Sequence, residues 1–158
     1  MRSNISWALF LLLTFLIARN IEAGQQVTTI AEVDAGSGGI EVDADGNVYT
    51  SDFGPMLGNS KETGTRVWKV LPDGTTEVFA EGFLGASGNA LDSRGNFFQA
   101  NIRGNYITKI ATDGTMTKFA TDGLINPVGV VIDDRDTLWV ANCGGASITP
   151  PTSITATS

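Results

Sequence analysis

The chain has 158 residues, 42% of them hydrophobic, and a formal charge of −7, which suits one globular domain. It contains no histidine, which excludes histidine bases, Ser-His-Asp and Cys-His pairs, and histidine metal ligands. Cys143 is the single cysteine, which excludes an intramolecular disulfide and a thiolate zinc cage, and the acidic balance excludes the electrostatic footprint of a nucleic-acid binder.

The first element is an address. Arg2 precedes residues 7–18, WALFLLLTFLIA, which are apolar except for Thr14 and end at Arg19 and Asn20. Twelve helical residues span about 18 Å, short of the roughly 30 Å of a hydrocarbon core. A basic start, a short apolar run and small residues after it predict a cleaved secretory signal over 1–23, ending at Ala23 with Ala18 as the alternative. The expected protein is secreted or periplasmic, without a stable membrane anchor.

After the signal the sequence repeats. Three segments align without gaps: GIEVDADGNVYTSD from Gly39, GNALDSRGNFFQAN from Gly88 and GVVIDDRDTLWVAN from Gly129. Their starts lie 49 and 41 residues apart. A second unit, RVWKVLPDGTTEVFA from Arg66 and YITKIATDGTMTKFA from Tyr106, recurs at an offset of 40. Asp73-Gly74 and Asp113-Gly114 sit between alternating runs, a strong hairpin signal. Each period therefore holds four short strands, in the second period over about 89–92, 97–100, 106–110 and 116–120. No helical periodicity follows the signal. Four-stranded antiparallel units at this period predict an all-β fold, a β-propeller. Tyr49, Phe98, Trp139, Phe79 and Phe119 are the expected inter-blade core.

The repeats, including PVGVVIDDRDTLWVANCGG from Pro127, resemble the NHL and SMP-30/gluconolactonase-like propellers over about 27–149. In the gluconolactonase-like members a divalent metal such as Ca²⁺ is held in the channel by Glu, Asn and Asp. The matching positions are Gly38, Ser87 and Val128, none a carboxylate, so the resemblance implies no metal site and no catalytic residue carried over. Streptogramin-lyase-like propellers are also similar and rely on a histidine that this chain lacks. The reading is an exported, non-catalytic binding or scaffold module without a cofactor, for a small-molecule or protein ligand. The alternative is a metal-dependent lactone hydrolase of the gluconolactonase type.

The candidate ligand-binding residues lie on one rim: Asp52, Asn101 and Asn142 after the second strands, and Ser87 before the second repeat glycine. Such side chains at strand ends also bond their own loops. Asp43–Asn47, DADGN, starts like a calcium loop but has Gly54 at the twelfth position, so it reads as a turn. Cys143 reads as structural. Thirteen residues, 53–65, separate Asp52 from Arg66, against four at the matching place in the next repeat, and predict a long rim loop.

The repeat runs through Thr149 and meets Pro150-Pro151, so the third strand of that unit is expected to end there and 150–158 to form an irregular tail. Residues 27–33 resemble a fourth strand. The inventory is an incomplete propeller, about three blades of a six-bladed ring: the chain is expected to be either a fragment that aggregates or a half-ring that two copies could complete as a homodimer. Mass spectrometry of the exported protein should show an N-terminus near Gly24; a membrane-bound product retaining Met1 would refute cleavage.

Overall fold

A computed structural model of the chain describes residues 26–34, 36–54, 64–144 and 152–155. The expected signal and most of the 53–65 loop lie outside the described residues. No helix occurs among those described. Among the described residues eleven strands form three antiparallel sheets. Blade 1 comprises β1 (Ile40–Val42), β2 (Val48–Ser51), β3 (Arg66–Val70) and β4 (Thr76–Glu81), hydrogen-bonded in that order. Blade 2 comprises β5 (Ala86–Leu91), β6 (Phe97–Asn101), β7 (Tyr106–Ile110) and β8 (Met116–Ala120), also in chain order. Blade 3 comprises β9 (Pro127–Ile132), β10 (Thr137–Asn142) and β11 (Thr152–Thr155), with β10 in the middle.

One aspartate builds each turn between the first two strands of a blade. Asp43 Oδ1 accepts from the amides of Asp45 and Asn47 at 3.0 and 2.9 Å. Asp92 Oδ1 does the same for Arg94 and Asn96, and Asp133 Oδ1 for Arg135 and Thr137. The DADGN segment is thus an Asx-type turn. The second oxygens reach sideways, Asp43 Oδ2 to the Tyr49 hydroxyl at 3.0 Å and Asp133 Oδ2 to the Trp139 indole at 3.0 Å. The Trp139 indole and then the Thr137 amide hold the Asp133 carboxyl down at about 2. Burial, reinforced by Asp43, pushes the Tyr49 hydroxyl up to about 12. At the left-handed turn position, Gly46 and Gly95 are replaced in blade 3 by Asp136, with φ of 58°. Asp136 bonds the amide and hydroxyl of Ser93 in blade 2 at 2.8 and 2.7 Å, which gives the strained position a partner across the blade boundary.

Strand alternation gives each blade a forward face, toward the next blade, and a rear face. Tyr49, Val67 and Phe79 of blade 1 pack forward on Phe97, Ile110 and Leu91 of blade 2. The rings of Tyr49, Phe79 and Phe97 meet at 4.8–5.3 Å. Phe98, Ala100, Ile107 and Phe119 of blade 2 pack forward on Val130, Ile132, Leu138 and Val140 of blade 3. The expected aromatic core is therefore present, with one correction. Trp139 is 38% exposed, because it lies on the forward face of blade 3, where no described neighbour follows.

Two further expectations change. Residues 27–33 form no strand: they lie near blade 1, where the Trp68 indole donates to the Asp34 carbonyl at 2.9 Å. The end of the chain, expected as an irregular tail from 150 to 158, includes β11, which pairs with β10 through Leu138↔Ile154 and Val140↔Thr152. The equivalent pairs in blade 2 are Phe97↔Ile110 and Gln99↔Thr108. Thr152 and Ile154 thus stand for Thr108 and Ile110 at an offset of 44 rather than 41. β11 is therefore displaced by three residues from the constant offset, and the described ladder lies wholly C-terminal to Pro150-Pro151.

The innermost strands approach one another closely. The Gly39 amide donates to the Ser87 carbonyl of blade 2 at 2.6 Å. A Cβ on Gly39 would lie 2.7 Å from the Asn89 nitrogen and 2.8 Å from the Ser87 carbonyl oxygen, both rigid backbone. Gly39→Ala is therefore expected to destabilise the chain by about 1–3 kcal/mol, the usual cost of overpacking. Urea unfolding checks this, and an unchanged midpoint would show that the blades part without cost.

Candidate functional site

The close approach of the inner strands gathers the ends of all three blades around a cleft of about 560 Å³. Its walls repeat from blade to blade. Gly38, Ser87 and Val128, each just before a repeat glycine, contribute one ring of positions. Phe53, Ile102 and Cys143, each just after a second strand, contribute another. Ser37, Gly39, Gly54 and Gly88 complete the described lining. The surface is mostly apolar, with two hydroxyls, one thiol and backbone groups as its polar elements.

Of the four residues predicted from sequence, Ser87 lines this cleft. Its hydroxyl donates to the Pro127 carbonyl of blade 3 at 2.9 Å. The other three sit one to a blade, set back from the cleft wall and engaged with loops. Asn101 is fully buried: Oδ1 accepts from the Leu84 amide at 3.0 Å, and Nδ2 donates to Thr108 Oγ1 at 3.0 Å and the Gln99 carbonyl at 3.2 Å. Asn142 repeats the clamp, accepting from the Ile125 amide at 3.2 Å and donating to the Gly123 carbonyl at 3.0 Å. Both clamps reach back 17 residues to the loop entering the first strand of the same blade. Asp52 Oδ1 accepts from the Gly54 amide at 2.8 Å.

Sequence reasoning missed Phe53, Ile102 and Cys143, each one residue beyond the predicted ring. The signal was available, since they share the offsets of 49 and 41. It also missed a buried polar cluster at the blade 1–blade 2 boundary. Ser51 Oγ donates to Gln99 Oε1 and accepts from Asn89 Nδ2, both at 2.7 Å. Gln99 Nε2 donates to the carbonyls of Ser87, Gly88 and Ala100 at 3.0–3.2 Å, tying the cluster to the cleft wall.

The donor set at Gly38, Ser87 and Val128 does not fit a divalent cation. It offers one hydroxyl, already donating to a carbonyl, and no carboxylate, whereas Ca²⁺ takes six to eight oxygens. Among the described residues no three Cys, Asp or Glu side chains cluster as metal ligands. No step through a metal is derived for this cleft.

Comparison with solved structures decides the fold. Streptogramin B lyase aligns with a TM-score of 0.56 and 19% identity, over 70% of this chain and 35% of that one. Virginiamycin B lyase from Staphylococcus aureus gives 0.55 and 16%, over 70% and 36%. The chain has the β-propeller fold. A structure of a nidogen/laminin complex gives 0.54 and 24%, over 66% of this propeller and 38% of that chain. The likeness bears out the propeller fold expected from the repeats. The chain spans little more than a third of the length of the propellers it matches. No family model and no curated protein matches it.

The two asparagine clamps differ in burial, and their removal should differ accordingly. Asn101→Ala strands buried partners and should cost about 1–3 kcal/mol, while Asn142→Ala, with exposed bonds, should cost no more than about 1 kcal/mol. Denaturant midpoints measure both, and equal losses would refute the distinction.

Proposed function

We propose that the chain is an exported, non-catalytic binding module whose cleft takes a largely apolar small molecule. The observation that carries this reading is the described lining of the cleft: Phe53, Ile102, Val128 and Cys143 with glycines and two serines, and no acid or base. Its volume falls within the few hundred to about 1,000 Å³ typical of small-molecule sites. An apolar wall with few polar groups supplies affinity through desolvation and leaves orientation to Ser37, Ser87 and exposed backbone. Hydrolysis would need a general base, a nucleophile with an activating partner, or a metal to polarise a carbonyl. The described lining offers none of these. Export rests on the N-terminal pattern of Arg2, the apolar run 7–18 and Ala23.

Binding of the apolar probe 1-anilinonaphthalene-8-sulfonate tests the cleft. Val128→Trp, which fills it from a half-exposed position, should weaken the cleft-bound fraction at least tenfold while leaving the melting temperature within a few degrees. Unchanged probe binding would remove the cleft from consideration. Metal-dependent lactone hydrolysis by the purified chain would overturn the non-catalytic reading in favour of the gluconolactonase type.

A further inference from the structure

The cleft has a polarity that its apolar composition hides. At four of its lining residues, Gly38, Gly54, Ile102 and Cys143, the backbone N–H is already engaged within the chain. Gly38 donates to the Ser51 carbonyl at 2.7 Å, Ile102 to the Gly85 carbonyl at 3.1 Å and Cys143 to the Asn126 carbonyl at 2.9 Å. Gly54 donates to Asp52 Oδ1 at 2.8 Å. The carbonyls of the same four residues accept no backbone hydrogen bond from any described residue. Ser87 follows the same rule with its side chain, whose hydrogen goes to the Pro127 carbonyl at 2.9 Å and leaves oxygen lone pairs on that group. These residues come from all three blades, so the asymmetry belongs to the wall as a whole. We propose that the ligand of this cleft carries a hydrogen-bond donor as its head group, and that the class it prefers is an apolar amine bound as its ammonium. The inference rests on the reading of the cleft as a small-molecule site.

The physical reason is what each kind of head would meet. Proteins hold carboxylates, sulfonates and phosphates by aiming backbone N–H groups or cationic side chains at them. Here those amides are turned to other partners, and the described lining has no lysine or arginine. An anionic head brought against this wall would lose water and gain little in return. An anionic dye can still enter with its apolar rings while its charge stays in water at the mouth. An ammonium has three donors and no acceptor, the complement of a wall whose carbonyls are open. Phe53 adds an aromatic ring to the same wall, and the face of such a ring attracts a cation. A hydroxyl head, donor and acceptor at once, falls between the two.

An independent observation lies directly behind Phe53. Asn101 and Asn142 each use both halves of their amide, accepting from a loop N–H and donating to oxygen. Asp52 stands at the equivalent place in blade 1, with a second carboxylate oxygen in place of the donor. It is 6% exposed, its side chain takes one described hydrogen bond, from the Gly54 amide, and it forms no ion pair among the described residues. A buried carboxylate without a paired cation leaves negative potential beside the wall. The chain as a whole, at −7, adds to it in the same sense.

Calorimetric titration of the purified chain with naphthylmethylamine, naphthylmethanol and naphthoate, one bicyclic body under three heads, tests this at neutral pH. The amine should bind about tenfold more tightly than the carboxylate, with the alcohol between them. Cys143→Lys, at an exposed position in the wall, should invert the order. Ser37→Lys puts the same charge at another exposed position of the lining, should the first variant fail to fold. Val128→Trp should weaken the amine as it weakens the cleft-bound probe. Three heads of equal affinity, or naphthoate as the tightest in the unaltered chain, would overturn this inference and leave the apolar cleft standing. Binding by none of the three would overturn the cleft as a small-molecule site and this inference with it. A preference for the amine that persists undiminished in Val128→Trp, or in a folded lysine variant, would place the amine elsewhere and overturn the proposal as well.

Discussion

Everything in this arc hangs on how near two inner strands can come. The Gly39 amide reaches the Ser87 carbonyl across the blade boundary, and Gly88 takes the matching place against Val128 and Val130. Glycine is required there because any Cβ would meet backbone, which cannot move aside as a side chain can. The close approach brings the forward face of each sheet onto the rear face of the next along its length. Neither face could be buried by one blade alone, since a single sheet leaves both exposed to water. The same approach converges the rim residues, so the cleft is a by-product of blade packing rather than a separately built pocket.

The rims are stiffened by short polar side chains acting on backbone. Three aspartates, Asp43, Asp92 and Asp133, each accept two amides of a turn, and two asparagines, Asn101 and Asn142, each clamp the loop entering their own blade. Such bonds satisfy amides that the strand ladders leave over. Asn101 and Asn142, with Asp52, also anchor the chain immediately before Ile102, Cys143 and Phe53, so that the cleft wall is set by residues one step removed from it. Asp43 shows the balance within such a turn. Desolvation alone would raise its carboxyl, but the Asn47 side chain and amide, the Tyr49 hydroxyl and the Asp45 amide together hold it below the usual carboxylate range.

Much of this was legible in the repeats. The offsets of 49, 41 and 40 placed the strands of blades 1 and 2 within a few residues, because hairpin turns and alternation are local. Long-range relations were harder to read. At constant offset Pro150-Pro151 falls in the third strand and reads as a stop, whereas three additional residues in the sequence place Thr152 and Ile154 in the ladder. Residues 27–33 have the composition of a strand but no partner within the described chain, and a strand is defined by its partner. At the site, the repeat drew attention to Asp52, Asn101 and Asn142 because polar residues stand out in an apolar run. The apolar residues beside them, which line the cleft, did not. The cluster of Ser51, Asn89 and Gln99 was hidden because three unremarkable polar residues become a unit only once two blades are packed.

That cluster has a consequence for how the chain finds its fold. Repeats of like sequence invite mispairing, since one blade can dock on the wrong neighbour and form a trapped intermediate. Here the two internal seams are chemically distinct. Placing Ser51 against Val130 and Val140 would strand its hydroxyl in an apolar seam, and burying Asn89 and Gln99 behind Ala141 would leave two amides without their partner. Each error carries the cost of unsatisfied buried polar groups, about 1–3 kcal/mol apiece. The polar seam therefore proofreads the order of the blades during folding, and the dry seam beside it supplies the adhesion.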